Sequence, residues 1–186
     1  MAEEKQQDIE KDVRVFDREN MLSRVTFMDS LLDKQNEIRN TVDVRTNIVI
    51  GFNAAVVAFL VVGLRDQLFT NIFLLMILSV FVISLLLAII ALKPPHLQTK
   101  KGQKESLFYH HYIESKDAED YRKEIHQTLA DENEIYDAYI TEVYNLTKYS
   151  NIPRKLYLYL SIRTLIYGMA FVILIYGFWY LFSLWA

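Results

Sequence analysis

Residues 46–92 read TNIVIGFNAAVVAFLVVGLRDQLFTNIFLLMILSVFVISLLLAIIAL, and this stretch decides the fold. It holds two uncharged runs, 47–64 and 70–92, separated only by Arg65-Asp66-Gln67-Leu68-Phe69. The hydrocarbon core of a bilayer takes roughly 20 residues of apolar helix to cross, and both runs match that length. Lipid offers no partner to an open backbone, so such a run crosses as a helix whose peptide groups bond one another. The polar residues between the runs are too few for a domain and enough for a tight helical turn. The stretch is expected to be a transmembrane hairpin.

A third apolar block covers residues 156–185 and is interrupted once, by Arg163. The 186-residue chain is 52% hydrophobic and still 23% charged, because its apolar residues are gathered into these blocks rather than spread at core periodicity. The polar remainder, 1–46 and 93–155, is too small in each part to build a generous core alone. The fold class is therefore an all-α membrane protein with three transmembrane helices, a hairpin plus a C-terminal span, and a helical cytoplasmic part. Its expected segments are an N-terminal helix at 1–45, spans at 46–64, 70–92 and 159–183, an external turn at 65–69, and a cytoplasmic helical region at 93–158.

Lys and Arg set the expected orientation. Residues 1–46 carry eight, the turn carries one, residues 93–163 carry eleven, and the tail beyond carries none. Those near membrane ends, Arg39, Arg45, Lys93, Lys100, Lys101, Lys104, Arg154, Lys155 and Arg163, fall on one side of a three-span arrangement, which the positive-inside rule makes cytoplasmic. The N-terminus is then expected inside and the C-terminus external. Met1-Ala2-Glu3-Glu4-Lys5 is acidic and polar, so no cleavable signal peptide is expected. There is no cysteine, which removes disulfides and thiolate zinc sites, and a net charge of −3 argues against a nucleic-acid partner.

Residues 12–44 contain neither Gly nor Pro and carry a stripe of Met21, Val25, Met28 and Leu32 at helical spacing. Packing on another helix fits this stripe better than lipid binding, because its polar face mixes acids with bases. Asn47, Asn53, Ser79 and Ser84 are the polar groups of the hairpin and candidates for bundle contacts or a pore lining, since lipid cannot satisfy them. Lys93-Pro94-Pro95 ends the second span, and the basic loop after it offers Lys100, Lys101 and Lys104 as weak candidates for phosphate contact beside their topological role. His110 and Glu114 stand four residues apart near His111, but a metal site needs further ligands in reach, and no metal site is assigned. Asp131 and Glu134 match a helix-capping pair. After it, Ile135, Tyr139, Val143 and Leu146 share a face that the 12–44 helix is the obvious element to cover. Ser150-Asn151-Ile152-Pro153 is expected to break or kink the chain, with Ser150 or Asn151 capping a new helix. Arg163 then sits near the inner end of the last span and can snorkel to headgroups. No phosphate-cradling glycine loop, Gly-x-Ser-x-Gly or His-Glu-x-x-His occurs, so the chain reads as a non-enzyme without a cofactor.

Four stretches in order carry a family resemblance. Asp43-Val44-Arg45-Thr46-Asn47 resembles an Asp-x-Lys/Arg lead into a transmembrane hairpin. Ala91-Leu92-Lys93-Pro94-Pro95 resembles a Leu-x-Pro exit. Ser106-Leu107-Phe108-Tyr109-His110 is similar to a Leu-Phe-Phe-Gly-His element, with tyrosine in place of the glycine, and Tyr144-Asn145-Leu146-Thr147-Lys148-Tyr149 resembles the helix leading to a final span. Together they resemble the Pycsar transmembrane effectors of bacterial antiphage defence, over about residues 35–178. The resemblance implies an effector signalled by a cyclic nucleotide, or by a cyclase-encoded neighbour, that impairs the inner membrane. Three helices are too few to enclose an aqueous pore, so such activity requires a homo-oligomer in contact with membrane lipid. The alternative is a non-toxic membrane scaffold that docks a cytoplasmic partner.

Overall fold

Helix α1 runs from Ala2 to Ala58 without interruption. No Gly or Pro stands before Gly51, so nothing stops the helical ladder at the boundary between the polar N-terminal segment and the first span. The two segments expected there are one helix. The computed structural model describes the backbone of residues 2–68, 71–93, 106–108 and 110–185, with side chains from residue 22 onward except at His110 and His111.

A π-helical turn, Phe59–Gly63, ends the first span and leads into a single turn of helix, α2 (Arg65–Leu68). Asn71 caps α3 (Ile72–Ala91), its side-chain oxygen accepting from the Phe73 N–H at 3.0 Å. The helix stops two residues short of Pro94, as expected from a proline pair that can neither donate nor fit a helical turn. Helices α4 (His110–Ser115), α5 (Ala118–Ala130) and α6 (Glu132–Asn145) follow. Asp131 caps α6 by accepting from the Asn133 N–H at 2.9 Å.

The chain differs from expectation at Pro153. Instead of a break with a fresh cap, a π-helical turn over Leu146–Asn151 joins α6 to α7 (Ile152–Trp185). Ser150 and Asn151 are buried within that turn. Proline is tolerated in the first turn of a helix, where its missing N–H has least to bond. A widened turn just before it redistributes the ladder without ending it.

The chain divides into two compact units. One draws on residues 1–37 and 102–146. There Arg24 of α1 donates to Glu132 at 3.3 Å, and Asp29 faces Tyr139, so α1 meets α6 at those two residues. Ser106 donates to the buried Glu142 at 2.5 Å, the Tyr121 hydroxyl donates to the Leu107 carbonyl at 3.0 Å, and the Phe108 ring stands 5.5 Å from that of Tyr139. The Ser106-Leu107-Phe108 segment is thereby anchored on α5 and α6.

The other unit draws on residues 38–101 and 147–186 and holds the apolar helices. In it α3 packs along α7. Ser84, Ala88 and Ala91 of α3 and Ser161 of α7 are almost wholly buried. A Cβ at Gly168 would lie 2.7 Å from a Val80 methyl, so the helices approach there to a distance only glycine allows. Phe73 meets Tyr176 edge to face at 5.1 Å, and Val42, Ala91 and Leu158 form an apolar cluster at the Lys93 end. Meanwhile Ile48, Phe52, Val62, Leu86, Ile166, Phe171, Leu174 and Phe178 are all exposed. Polar groups lie inside and large apolar ones outside, the reverse of a water-soluble helix bundle.

Candidate functional site: a polar clasp between three spans

The centre of that inversion is a small hydrogen-bonded group. Asn53 of α1, Ser84 of α3 and Ser161 of α7 are each 0% exposed. The Asn53 amide donates to the Ser84 hydroxyl at 2.9 Å. Ser84 and Ser161 hydroxyls are 2.9 Å apart, and the Ser161 hydroxyl donates to the Ser84 carbonyl at 2.8 Å. One serine oxygen thus ties all three spanning helices together. The Asn53 side-chain carbonyl, equally buried, has no hydrogen-bond partner. Half-satisfied polar groups in an apolar setting are costly, and this one lowers the stability of the arrangement.

A second polar link closes the Lys93 end. Arg154 of α7 donates to the Asp43 carboxylate of α1, while its own Nε is buried without a partner. Asp43 and Arg45 belong to the stretch that resembles a hairpin lead-in, and the ion pair gives Asp43 a physical task there. Thr46, one turn on, is fully buried and returns its hydroxyl to the Val42 carbonyl at 2.7 Å. Beside the pair a narrow crevice is lined by Lys93, Ser150, Pro153, Arg154 and Tyr157.

The structure brings Asn53 and Ser84 together and sets Asn47 and Ser79 elsewhere. Asn47 is exposed on α1, and Ser79 is exposed with its hydroxyl turned back to the Leu75 carbonyl at 2.8 Å. Lys100, Lys101 and Lys104 lie outside the described residues. Among the described residues no cluster of metal-binding side chains occurs, and His126 is exposed. Sequence reasoning missed Ser161, Thr46 and the Asp43–Arg154 pair. A hydroxyl two residues from Arg163 looks interfacial, and only the crossing of α3 and α7 turns it inward.

In the other unit, Tyr112 and Lys116 both donate to Glu124 at 2.6 Å. The Lys116 bond first, then that of Tyr112, holds the Glu124 carboxyl below its ordinary range. The same carboxylate pushes Lys116 and Tyr112 up. The open pocket next to this group is lined by Leu107, Tyr112, Glu124, Gln127, Thr128 and Glu134. Two carboxylates on its wall disfavour a phosphate there.

Three helices long and apolar enough to cross a membrane, packed polar side inward, define an all-helical membrane protein. The family model of the Pycsar effector protein domain matches residues 27–181, and the chain belongs to that family. Neither a curated protein nor a solved structure matches it.

Proposed function

We propose that the protein is a non-catalytic effector of bacterial antiphage defence that, once signalled, oligomerises and impairs the inner membrane. Family membership carries this reading: the matched region spans the polar clasp and both helical units. The clasp supports it physically. A half-satisfied amide at the meeting point of three spans is a weak point in their packing, on which a signal received by the 93–158 region would act. A cyclic mononucleotide, or a protein encoded next to a nucleotide cyclase, supplies that signal.

The test is membrane depolarisation in cells expressing the chain with and without its genomic neighbour during phage infection. Loss of potential only when both are present is the expected result; unchanged potential and dye exclusion would sink the reading. Asn53→Leu removes the amide that would meet water in an opened bundle and is expected to lower signal-dependent toxicity. Unaltered toxicity makes Asn53 a structural contact only.

A further inference from the structure

Arg163 stands at an unexpected depth. Ser161 is level with Ser84, and Gly168 is level with Val80. Arg163 therefore lies opposite the part of α3 between those two residues. At a rise of about 1.5 Å per residue, that level is about 12 Å from the Ala91 end of α3 and about 17 Å from its Ile72 end. Helix α1 gives the same depth: Asn53, bonded to Ser84, stands about 12 Å from Arg45 and about 18 Å from Arg65. Two helices thus define one apolar layer, and Arg163 of the third lies near its middle rather than at its cytoplasmic edge.

The side chain does not point into the bundle. Ser161 is buried against α3, while Arg163 is exposed and held between the rings of Tyr159 and Tyr167, its guanidinium carbon 5.6 and 5.1 Å from their centroids. Tyr159 and Tyr167 are 57% and 60% exposed, so the three form a polar stripe at i, i+4 and i+8 on the outer face of α7. A charge at this depth faces protein or water rather than lipid. Residues 47–64, 70–92 and 156–185 contain no Asp or Glu, so a second copy brings no carboxylate into the layer. The counter-charge must be mobile.

The geometry points to Arg163 as an intramembrane anion site: in the assembled effector the Tyr159–Arg163–Tyr167 stripe faces an aqueous path between copies, along which small anions pass. This rests on the membrane impairment proposed above and adds its selectivity. Rings of basic side chains select anions electrostatically, and two aromatic faces hold this guanidinium in place.

The full chain is reconstituted in planar bilayers, 3′,5′-cyclic mononucleotides are added, and the reversal potential is read under a potassium chloride gradient. Wild type and Arg163→Lys are expected to reverse on the chloride side. Arg163→Gln is expected to lose that preference, and Arg163→Glu to shift towards potassium. Replacing chloride by the much larger gluconate is expected to reduce the anion current of the wild type. Conductance with the same reversal potential in wild type, Arg163→Gln and Arg163→Glu is what a guanidinium held by a lipid phosphate would give, and it overturns this inference alone. No conductance from any form overturns it together with the impairment on which it rests.

Discussion

Asn53, Ser84 and Ser161 are unequal partners, because Ser84 serves both of the others. Ser84→Ala deletes the acceptor of Asn53 and leaves a fully buried amide with no partner at either end, a cost of about 1–3 kcal/mol. Ser161→Ala removes one donor, and interhelical bonds of this kind average about 0.6 kcal/mol. Thermal unfolding in detergent is expected to rank Ser84→Ala below Ser161→Ala, and equal midpoints would show that the clasp is not centred on Ser84. The Asp43–Arg154 pair obeys a similar asymmetry. Arg154 is 9% exposed, whereas the Asp43 side chain is about a third exposed. Asp43→Ala strands a buried cation, a class of change that costs about 3–5 kcal/mol at full burial, while Arg154→Ala strands a carboxylate that water still reaches. Asp43→Ala is therefore expected to unfold at the lower temperature. The reverse order would mean that Arg154 finds another acceptor.

Between elements, the close contact of α3 and α7 depends on one missing side chain. Gly168→Leu drives a side chain into Val80 where even a Cβ meets two methyls at 2.7 and 2.8 Å, and overpacking of this sort costs about 1–3 kcal/mol. Reduced thermal stability, with partial rescue by Val80→Ala, is the expected result. The link of α4 to α5 has a pH signature instead. Because Glu124 is held below its ordinary range, its contribution to stability is full above that range and is lost as pH falls through the lowered value. Lys116, pushed up, keeps its contribution until pH rises beyond the lysine range. Protection of the α5 amides, measured as exchange corrected for its intrinsic pH dependence, is thus expected to be constant near neutral pH and to fall in acid. Glu124→Gln should show low protection at both, and acid-insensitive protection in the wild type would remove the Glu124 bonds to Lys116 and Tyr112 from the account. How far such links were legible in the sequence depends on range. The hairpin, the Asp131 cap and the stop before Pro94 follow from neighbouring residues and could be read directly. Asn53 and Ser84 stood out against an apolar background. Ser161 and the depth of Arg163 depend on where α7 crosses α3, and no single run encodes that register. Pro153 misled because the same local signal serves a helix start or the first turn after a widened one.

For the whole molecule, the charge distribution and the absence of cysteine combine into one decisive experiment. The basic residues nearest the spans, except Arg65 and Arg163, are expected on the side of Asp43, Lys93 and Arg154, and the positive-inside rule would make that side cytoplasmic. Arg65 in α2 is alone on the other. Since the natural chain has no thiol, a single introduced cysteine reports its own location without background. Gln67→Cys, in the exposed turn of α2, is expected to react with a membrane-impermeant maleimide in intact cells. His126→Cys, exposed on α5, is expected to react only after the membrane is opened. Arg163 is a counterweight: lying near mid-layer, it adds little to either side, so the orientation rests on the remaining charges. Arg163→Gln should therefore leave the labelling pattern intact, whereas neutralising Arg45, Lys93 and Lys155 together should mix it. Labelling of His126→Cys in intact cells would reverse the topology and place the signalling region where no cytosolic messenger could reach it.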